Sequence, residues 1–493
     1  MTMKINILDG HNTIGGNKIL ITSKDDVSIL LDFGKNFASY GSYFEEFLTP
    51  RQGAGIYDLW KLGLVPHYSG LYRDALLTYL KDEVDKMPVL NSQALFLTHA
   101  HLDHAGYIPF LREDLPIVSS STTFKMLQSI QDTGGGGLFN EYCNASEREV
   151  ESSKTGETKL KKKKGASYRR DFRFDEEGEI SSFKYRMFPV DHSILGAASF
   201  YFEVDGVKIA YTGDLRFHGE KGNLSKEFFN FVKENGADII LCEGTRVPKI
   251  EEIEKTLKED QLTEMDVKNA SLDVVKKFKG KVVIADFGAR NIERLKIFLD
   301  IANETERKLA ITLKDAYLLH LLQDEFDYIQ SPNLVIIESK REQNREWVKS
   351  MLNTYGDKMT TLKNISKDPG NYILCYSFWD MPNLLDLEIR ERGAYIYSTS
   401  EAYSEEQMID TRRLFNWLNY LNLEPFGISM NGENIDFTRE YHASGHTSLR
   451  DLVHEIEFAK PDIVVPLHSE HIETFKEYFG NTIKVCLESE MEL

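Results

Sequence analysis

The chain has 493 residues, of which 41% are hydrophobic and 28% charged. That length exceeds one ordinary core and predicts two domains, and the composition is that of a globular chain. A formal net charge of −19 argues against a general nucleic-acid coat, which needs Lys and Arg to displace counterions. A nuclease stays open if positive charge is gathered in a groove and metal ions neutralise the scissile phosphate. The four cysteines, Cys143, Cys242, Cys375 and Cys486, form no C-x-x-C pair, which argues against a disulfide framework and fits a reducing compartment. MTMKINILDG lacks a signal-peptide core and no apolar run reaches membrane-spanning length, so a cytoplasmic protein without a membrane partner is expected.

The first segment alternates as strands do: Ile5 and Ile7, the turn GHNTIGG, then KILIT and VSILLD. This predicts a β-meander, with His11 and Gly15-Gly16 as turn chemistry. Asp32 closes an apolar strand in LLDFG; it either orients a metal-binding histidine from behind or starts the turn before Phe33-Gly34. Residues 40–90 are rich in Tyr, Leu and Phe, and YRDALLTYL has helical periodicity, which predicts a helical insertion or lid.

Leu95 to Thr98 read as a buried strand end, followed by His99-Ala-His101-Leu-Asp103-His104. Three imidazoles and a carboxylate within six residues can coordinate borderline divalent metals such as zinc. In an extended segment His99 and His101 share a face, and Asp103 and His104 can turn toward a second ion. Two adjacent metals can share a hydroxide that attacks an ester or phosphodiester. Residues 107–112 read as a helix and 116–120 as a strand.

Residues 133–182 differ in texture. Gly134 to Gly137 precede a polar run, and Lys161 to Lys164 follow, with Arg169 and Arg170 nearby. This is either a flexible, solvated insertion or a basic arm that meets a polyanion.

Strands resume at FKYRMFPV and end in Asp191-His192. His192 alone would read as a core or turn histidine. VKIAYTGD delivers Asp214 at a strand end, as a bridge between cations or as an ordinary turn acid. DIILCEGT repeats the scheme with Glu243. Strand after strand ends in Asp, His or Glu, as when ligands converge on one edge of a sheet sandwich.

Beyond Arg246 acidic helices run to residue 272, followed by strand–helix alternation: KVVIADF, NIERLKIFLDIA, KLAIT, then YILCYS. Such a series predicts a separate parallel-sheet domain over 246–425. It is inserted, because metal-type residues return at YHASGHT, with His442, Ser444 and His446, and at VVPLHSEH, with His468.

HAHLDH, DHS with His192 and TGD with Asp214 resemble the metallo-β-lactamase superfamily, and Asp32 matches its early strand-end aspartate. The resemblance implies an α/β fold, an αββα sandwich with one or two metals, usually zinc, at the sheet edge. Residues 1–245 would form its first part and 426–493 its return. The insertion and tail resemble the β-CASP subgroup: Glu243 matches its motif A, His446 in SGH its motif B and His468 in PLHSE its motif C. ADFGARNIERLKIFLDIANETERKLAI is similar to the start of the cap domain in ribonuclease J-type enzymes.

The ligand set so implied is His99, His101 and His192 on one Zn²⁺ and Asp103, His104 and His468 on the other, with Asp214 bridging and Mn²⁺ as the alternative metal. Asp103, His446 and Glu243 would be the catalytic residues: a shared hydroxide attacks phosphorus, His446 stabilises the phosphorane charge or protonates the leaving 3′ oxygen, and Glu243 holds His446 or a ligand histidine. His442, Ser444 and His218 either touch a downstream phosphate or serve structure, and Lys281 and Arg290 are candidates for the substrate groove that the sequence does not choose between. A histidine at motif C accompanies RNA-directed members of the subgroup. The implied function is a metal-dependent ribonuclease, endonucleolytic or 5′-to-3′ exonucleolytic, acting on single-stranded RNA in processing or decay from a cleft between the domains, with a homo-oligomer compatible. The alternatives are a DNA nuclease, a small-ester or cyclic-nucleotide hydrolase, and a non-catalytic scaffold. Two departures stand out. YSTSEAYSEEQ lacks the glycine and proline of the phosphate-contacting turn in ribonuclease J-type enzymes, and the tail ends soon after His468, so their extra C-terminal domain is expected to be absent.

Overall fold

The computed structural model describes residues 2–45, 47–152, 158–259, 261–338, 344–399, 405–432 and 434–493, with no side-chain detail at 405 and 406. The phosphate-turn counterpart in YSTSEAYSEEQ lies largely outside the described residues. Two compact units form: Met1–Phe217 with Lys221–Glu259 and His446–Leu493, and His218–Glu220 with Asp260–Gly445. The first junction falls later than residue 245 because Ile253 and Leu257 pack on the outer helical layer of the first unit. The second falls later than 425 because the hairpin Ile428–Asn431 and Asn434–Phe437 lays Ile428, Ile435 and Phe437 on the core of the second unit.

The first unit is an αββα sandwich. In one seven-stranded sheet, Lys4–Asp9, Lys18–Thr22 and Ser28–Leu31 form an antiparallel meander, which Ser92–Phe96, Ile117–Val118 and Phe172–Arg173 extend in parallel, while Glu490–Glu492 covers the other edge. The second sheet opens with Glu177–Ile180, Phe183–Pro189, Ala198–Val204 and Val207–Tyr211, all antiparallel, and continues in parallel through Ile239–Glu243, Ile463–Leu467 and Lys484–Val485. Period-two alternation supplies the interior: Ile5, Ile19, Ile29, Leu31 and Phe96 from one sheet meet Phe183, Phe200, Phe202, Ile209 and Leu241 from the other. Phe96 is edge-on to Tyr185, Phe200 and Phe202 at centroid distances of 4.9, 5.4 and 4.9 Å, the preferred geometry of aromatic pairs. Helices Gly222–Asn235, Leu449–Ala459 and Ile472–Phe479 bury their apolar stripes on the outer face of the second sheet.

Strand register decides where the polar strand ends emerge. Leu31 pairs with Phe96, so Asp32 and His99 leave the first sheet at the same end. Tyr211 pairs with Leu241, and Glu243 with Leu467, so Asp214, Glu243 and His468 leave the second sheet together. The expectation of converging strand ends holds.

The second unit carries a seven-stranded, wholly parallel sheet in the order Met359–Thr360, Leu334–Ile337, Lys308–Thr312, Tyr372–Cys375, Val283–Asp286, Gly393–Tyr397, Leu423–Phe426. The buried Arg294 ties it together: its guanidinium donates to Glu264 at 2.9 Å and to the carbonyls of Ser398 at 2.7 Å and Tyr441 at 3.3 Å.

Three local expectations change. Residues 107–112 hold only one tight 3-10 turn, Ile108–Phe110, with a proline in it. Residues 40–90 form single turns, Tyr57–Lys61, Asp74–Leu77 and Lys81–Val84, anchored by buried Trp60, Leu76 and Leu80. The charged insertion contains a long hairpin, Asn144–Ser152 against Thr158–Arg169. Its lysines face acids on the partner strand, Lys161 to Glu151 and Lys163 to Glu147, each at 3.0 Å. Buried Glu141 gathers Arg73, Arg148 and Lys162 at its base, at 2.8, 2.8 and 3.4 Å. Like-charge runs interleaved with opposite charge across a ladder become a zipper, so the described part of the insertion is ordered strand. Among the described residues no helix is long and apolar enough to cross a membrane.

A candidate metal centre at the sandwich rim

HAHLDH leaves its strand in extended backbone and enters the short helix Leu102–Ala105 with His101 as N-cap. The extended part aims His99 and His101 alike; the helical turn swings Asp103 and His104 to the other side. Three ring nitrogens then meet. His99 Nε2 and His192 Nε2 each lie 3.1 Å from His101 Nδ1. A second group joins Asp103, His104, Asp214 and His468, and a third joins His192, Asp214 and His446; each offers ligand atoms within 4.8 Å of one another. His446, expected to stand outside the ligand set, thus also offers an atom near that set.

Asp214 is the hub. Its Oδ2 lies 3.1 Å from His104 Nε2, 3.7 Å from His468 Nε2, 3.8 Å from His99 Nε2, and 3.9 Å from His192 Nε2 and His446 Nδ1. Both carboxylate oxygens and His104 Nε2 are buried and without a hydrogen-bond partner. Buried carboxylates are otherwise nearly always satisfied. Orphaned oxygens ringed by imidazole nitrogens are the donor set of a borderline divalent cation, so the residues fit the metal that the sequence implies. Burial works to raise the Asp214 pKa, but His104 and His468 hold the carboxyl well below 3.8, in the anionic form that metal binding needs. Burial, reinforced by the surrounding imidazoles, keeps His99 well below 6.5.

Behind these groups stands Asp32, fully buried and at a φ of 54°. Its carboxylate accepts from the Thr98 amide at 2.8 Å, from the Tyr211 hydroxyl at 2.6 Å and from His104 Nδ1 at 2.7 Å. The last bond fixes the His104 tautomer and leaves Nε2 facing Asp214. Of the two readings of Asp32, the orienting role fits this geometry.

Glu243 organises the opposite wall. Its Oε1 accepts the Leu215 amide at 2.6 Å, and its Oε2 accepts from His446 Nδ1 at 2.9 Å and from the Thr245 hydroxyl at 2.9 Å. Thr245 Oγ1 also lies 2.8 Å from His468 Nδ1, so one acid steadies both tail histidines. Burial works to lower the His446 pKa, but the Glu243 charge and hydrogen bond, with Asp214 and Asp103, raise it above 6.5. Thr245 and Tyr211 were absent from the sequence-derived site; hydroxyls are too common for spacing to single them out. His468 bends into the left-handed region at φ 52°, and its amide donates to the Gly10 carbonyl at 2.7 Å.

His442 and Ser444 lie in the second unit, where the Ser444 carbonyl faces His218 Nε2 at 3.0 Å. His218 thereby has a structural bond, and Lys281 pairs with Glu391 at 3.7 Å.

Histidines and acids drawn from both sheets to one rim of an αββα sandwich form a candidate metal centre. No family model matches the chain. It is 22% identical over 477 residues to ribonuclease J of Mycoplasma pneumoniae, covering 95% of this chain and 68% of that protein. Identity is 22% over 479 residues to ribonuclease J of Helicobacter pylori, covering 95% and 56%. Cleavage and polyadenylation specificity factor subunit 3-I of Arabidopsis thaliana is 25% identical over 242 residues, covering 49% and 31%. A solved structure, titled as a protein of unknown function from Enterococcus faecalis, superposes over the whole of both chains with a TM-score of 0.70 at 19% identity, which speaks to the fold. Over 95% of its length the chain is thus similar to ribonucleases J.

Proposed function

We propose that the protein is a metal-dependent ribonuclease that hydrolyses phosphodiester bonds in RNA processing or decay. The observation that carries this reading is Asp214, whose unpartnered oxygens lie among five imidazole nitrogens, in a chain aligned over 95% of its length with ribonucleases J. Asp214 would bridge two ions, His99, His101 and His192 would hold one, and Asp103, His104 and His468 the other. Zinc suits these donors best, and manganese second. When bound, such ions lower the pKa of water and neutralise charge on a phosphoryl group.

The chain's own residues supply orientation and a proton. Glu243 fixes the His446 Nδ1–H, and its charge favours the protonated ring. A cationic imidazole in that position can give its proton to the leaving 3′ oxygen. Asp32 holds His104, and Thr245 couples Glu243 to His468. Single-stranded RNA is the substrate that this reading favours, from the protein's likeness to ribonucleases J.

The test is cleavage of end-labelled RNA and of matching DNA, with zinc or manganese added and then chelated. Metal-dependent RNA cleavage is expected, and its absence would sink the proposal; DNA cleavage alone would move the substrate. Asp214→Asn should lose both bound metal and activity. His446→Ala should lose rate and keep metal; a loss of metal would make His446 a ligand.

A further inference from the structure

The segment that follows Asp32 is built around the metal-ligand helix. Gly34 packs so closely on Asp103 that a Cβ there would sit 1.6 Å from the Asp103 carbonyl oxygen, and the Lys35 amide donates to the Leu102 carbonyl at 2.9 Å. The loop before Gly16 lies against the same segment, since a Cβ on Gly16 would fall 2.9 Å from Asn36 Cα. Gly15, one residue earlier, abuts the Asp103 side chain itself. Residues 34–36 are therefore packed beside Asp103, a proposed ligand of the metal centre, and lead directly into the exposed turn Phe37–Gly41.

What they present is unusual for a surface. Phe37 and Tyr43 are each 49% exposed and Phe47 is 88% exposed. Single exposed apolar residues are ordinary, but exposed aromatic rings recurring within a dozen residues, just after a segment packed on Asp103, are not. Between two of the rings of this segment lies a cation. The Lys35 ammonium is 5.3 Å from the Phe37 ring centre and 3.1 Å from that of Tyr40. No carboxylate pairs with it among the described residues, in a chain whose acids outnumber its bases by 78 to 59. The adjoining loop adds His11, whose Nε2 is buried and without a hydrogen-bond partner.

We infer that Lys35, Phe37 and Tyr40 form a stacking platform for single-stranded RNA beside the metal centre. This inference rests on the ribonuclease reading. Aromatic faces and a positive groove are the means by which proteins hold single strands without reading sequence, because every base has a π-face and every linkage a charge. Phe37 takes a base, and Lys35, with Tyr40 beneath it, takes the phosphate next to that base. An acidic protein surface would also answer the ammonium, but the place of these residues next to the candidate metal centre favours the strand that the centre would cut.

The experiment measures a phosphorothioate oligoadenylate, which resists cleavage, by fluorescence anisotropy across a salt series. It also follows kcat and KM for ordinary RNA, with metal content measured on each preparation. Phe37→Ala should raise Kd and KM by about 5- to 150-fold, the range of one lost base stack, with kcat changing less than KM, and Phe37→Tyr should restore both. Lys35→Gln should flatten the slope of log Kd against log salt by ~0.7, one phosphate contact on a single strand. Wild-type affinity and slope in both variants, with RNA still cut, would overturn the platform and leave the ribonuclease reading in place. A wild-type protein that neither binds nor cuts RNA would overturn both. A change in sedimentation on Phe37→Ala with RNA affinity unaltered would assign the face to a second copy of the chain and also overturn the inference.

Discussion

At the scale of single residues, the candidate centre depends on groups buried behind the proposed ligands. Asp32 spends its carboxylate on Thr98, Tyr211 and His104, so His104 has one tautomer and one direction. Asp32→Asn keeps the shape but can present an amide N–H to His104 Nδ1. Loss of an outer hydrogen bond of this kind typically costs about 10- to 100-fold in metal affinity or activity, and competition with a chelating dye should show that loss. The histidines themselves were legible because spacing of two and three residues after an apolar strand leaves few other uses for them. Thr245 was not: its role exists only because Ile239–Glu243 runs parallel to Ile463–Leu467 in a register that brings residue 245 to His468.

At the scale of elements, close packing positions the ligand helix. The amides of Gly16 and Asn17 both donate to the Asp103 carbonyl at 3.0 Å, and Gly34 leaves no room for a side chain there. Gly34→Ala must push backbone against backbone, so it should lower the urea midpoint of the first unit and cut metal content together, a severe change of the overpacking kind. The parallel sheet of the second unit makes a different prediction. Asp286 ends the strand Val283–Asp286, 4% exposed, with the Tyr395 hydroxyl donating to it. Burial pushes its carboxyl up to about 7, against the lowering effect of that hydrogen bond and with help from Asp380. A raised carboxyl favours the folded state fully only below its unfolded value, near 4, and that contribution is lost as pH rises through about 7. Thermal stability of the second unit should therefore fall from pH 5 to pH 8, and Asp286→Asn should flatten the fall. Trp347, Trp379 and Trp417, three of the four tryptophans, lie in that unit, so indole fluorescence reports it.

Element boundaries were legible in proportion to how local their causes are. The meander, the parallel alternation of the insertion and the converging strand ends follow from period-two and period-3.6 patterns inside each segment. The charged hairpin escaped because its order comes from Lys–Glu pairs across strands and from Glu141 at its base, which no single stretch contains. Residues 40–90 escaped because a few buried anchors, Trp60, Leu76 and Leu80, override a helical pattern.

At the scale of the molecule, all nine residues of the proposed metal and proton-transfer set lie in the first unit, although the chain leaves that unit for nearly two hundred residues between Glu259 and His446. The sandwich has its own apolar core, and metal that binds only the folded state adds stability by mass action. Chelation should abolish activity, lower the melting temperature by a few degrees, and leave far-ultraviolet circular dichroism unchanged; unfolding on chelation would mean that the core depends on the ions.

The pairing of the chain's beginning with its tail sets a schedule for synthesis. Lys4–Asp9 pairs with Glu490–Glu492, and the His468 amide closes on the Gly10 carbonyl. About 250 residues separate Asp214 from His468, so at roughly 5–20 residues per second the last ligand leaves the ribosome some 10–50 s after the central acid. Until then the emerging polypeptide has most of its imidazoles but no closed rim to bring them together. A candidate centre assembled in this way stays open until the strand that carries His468 has been made and docked.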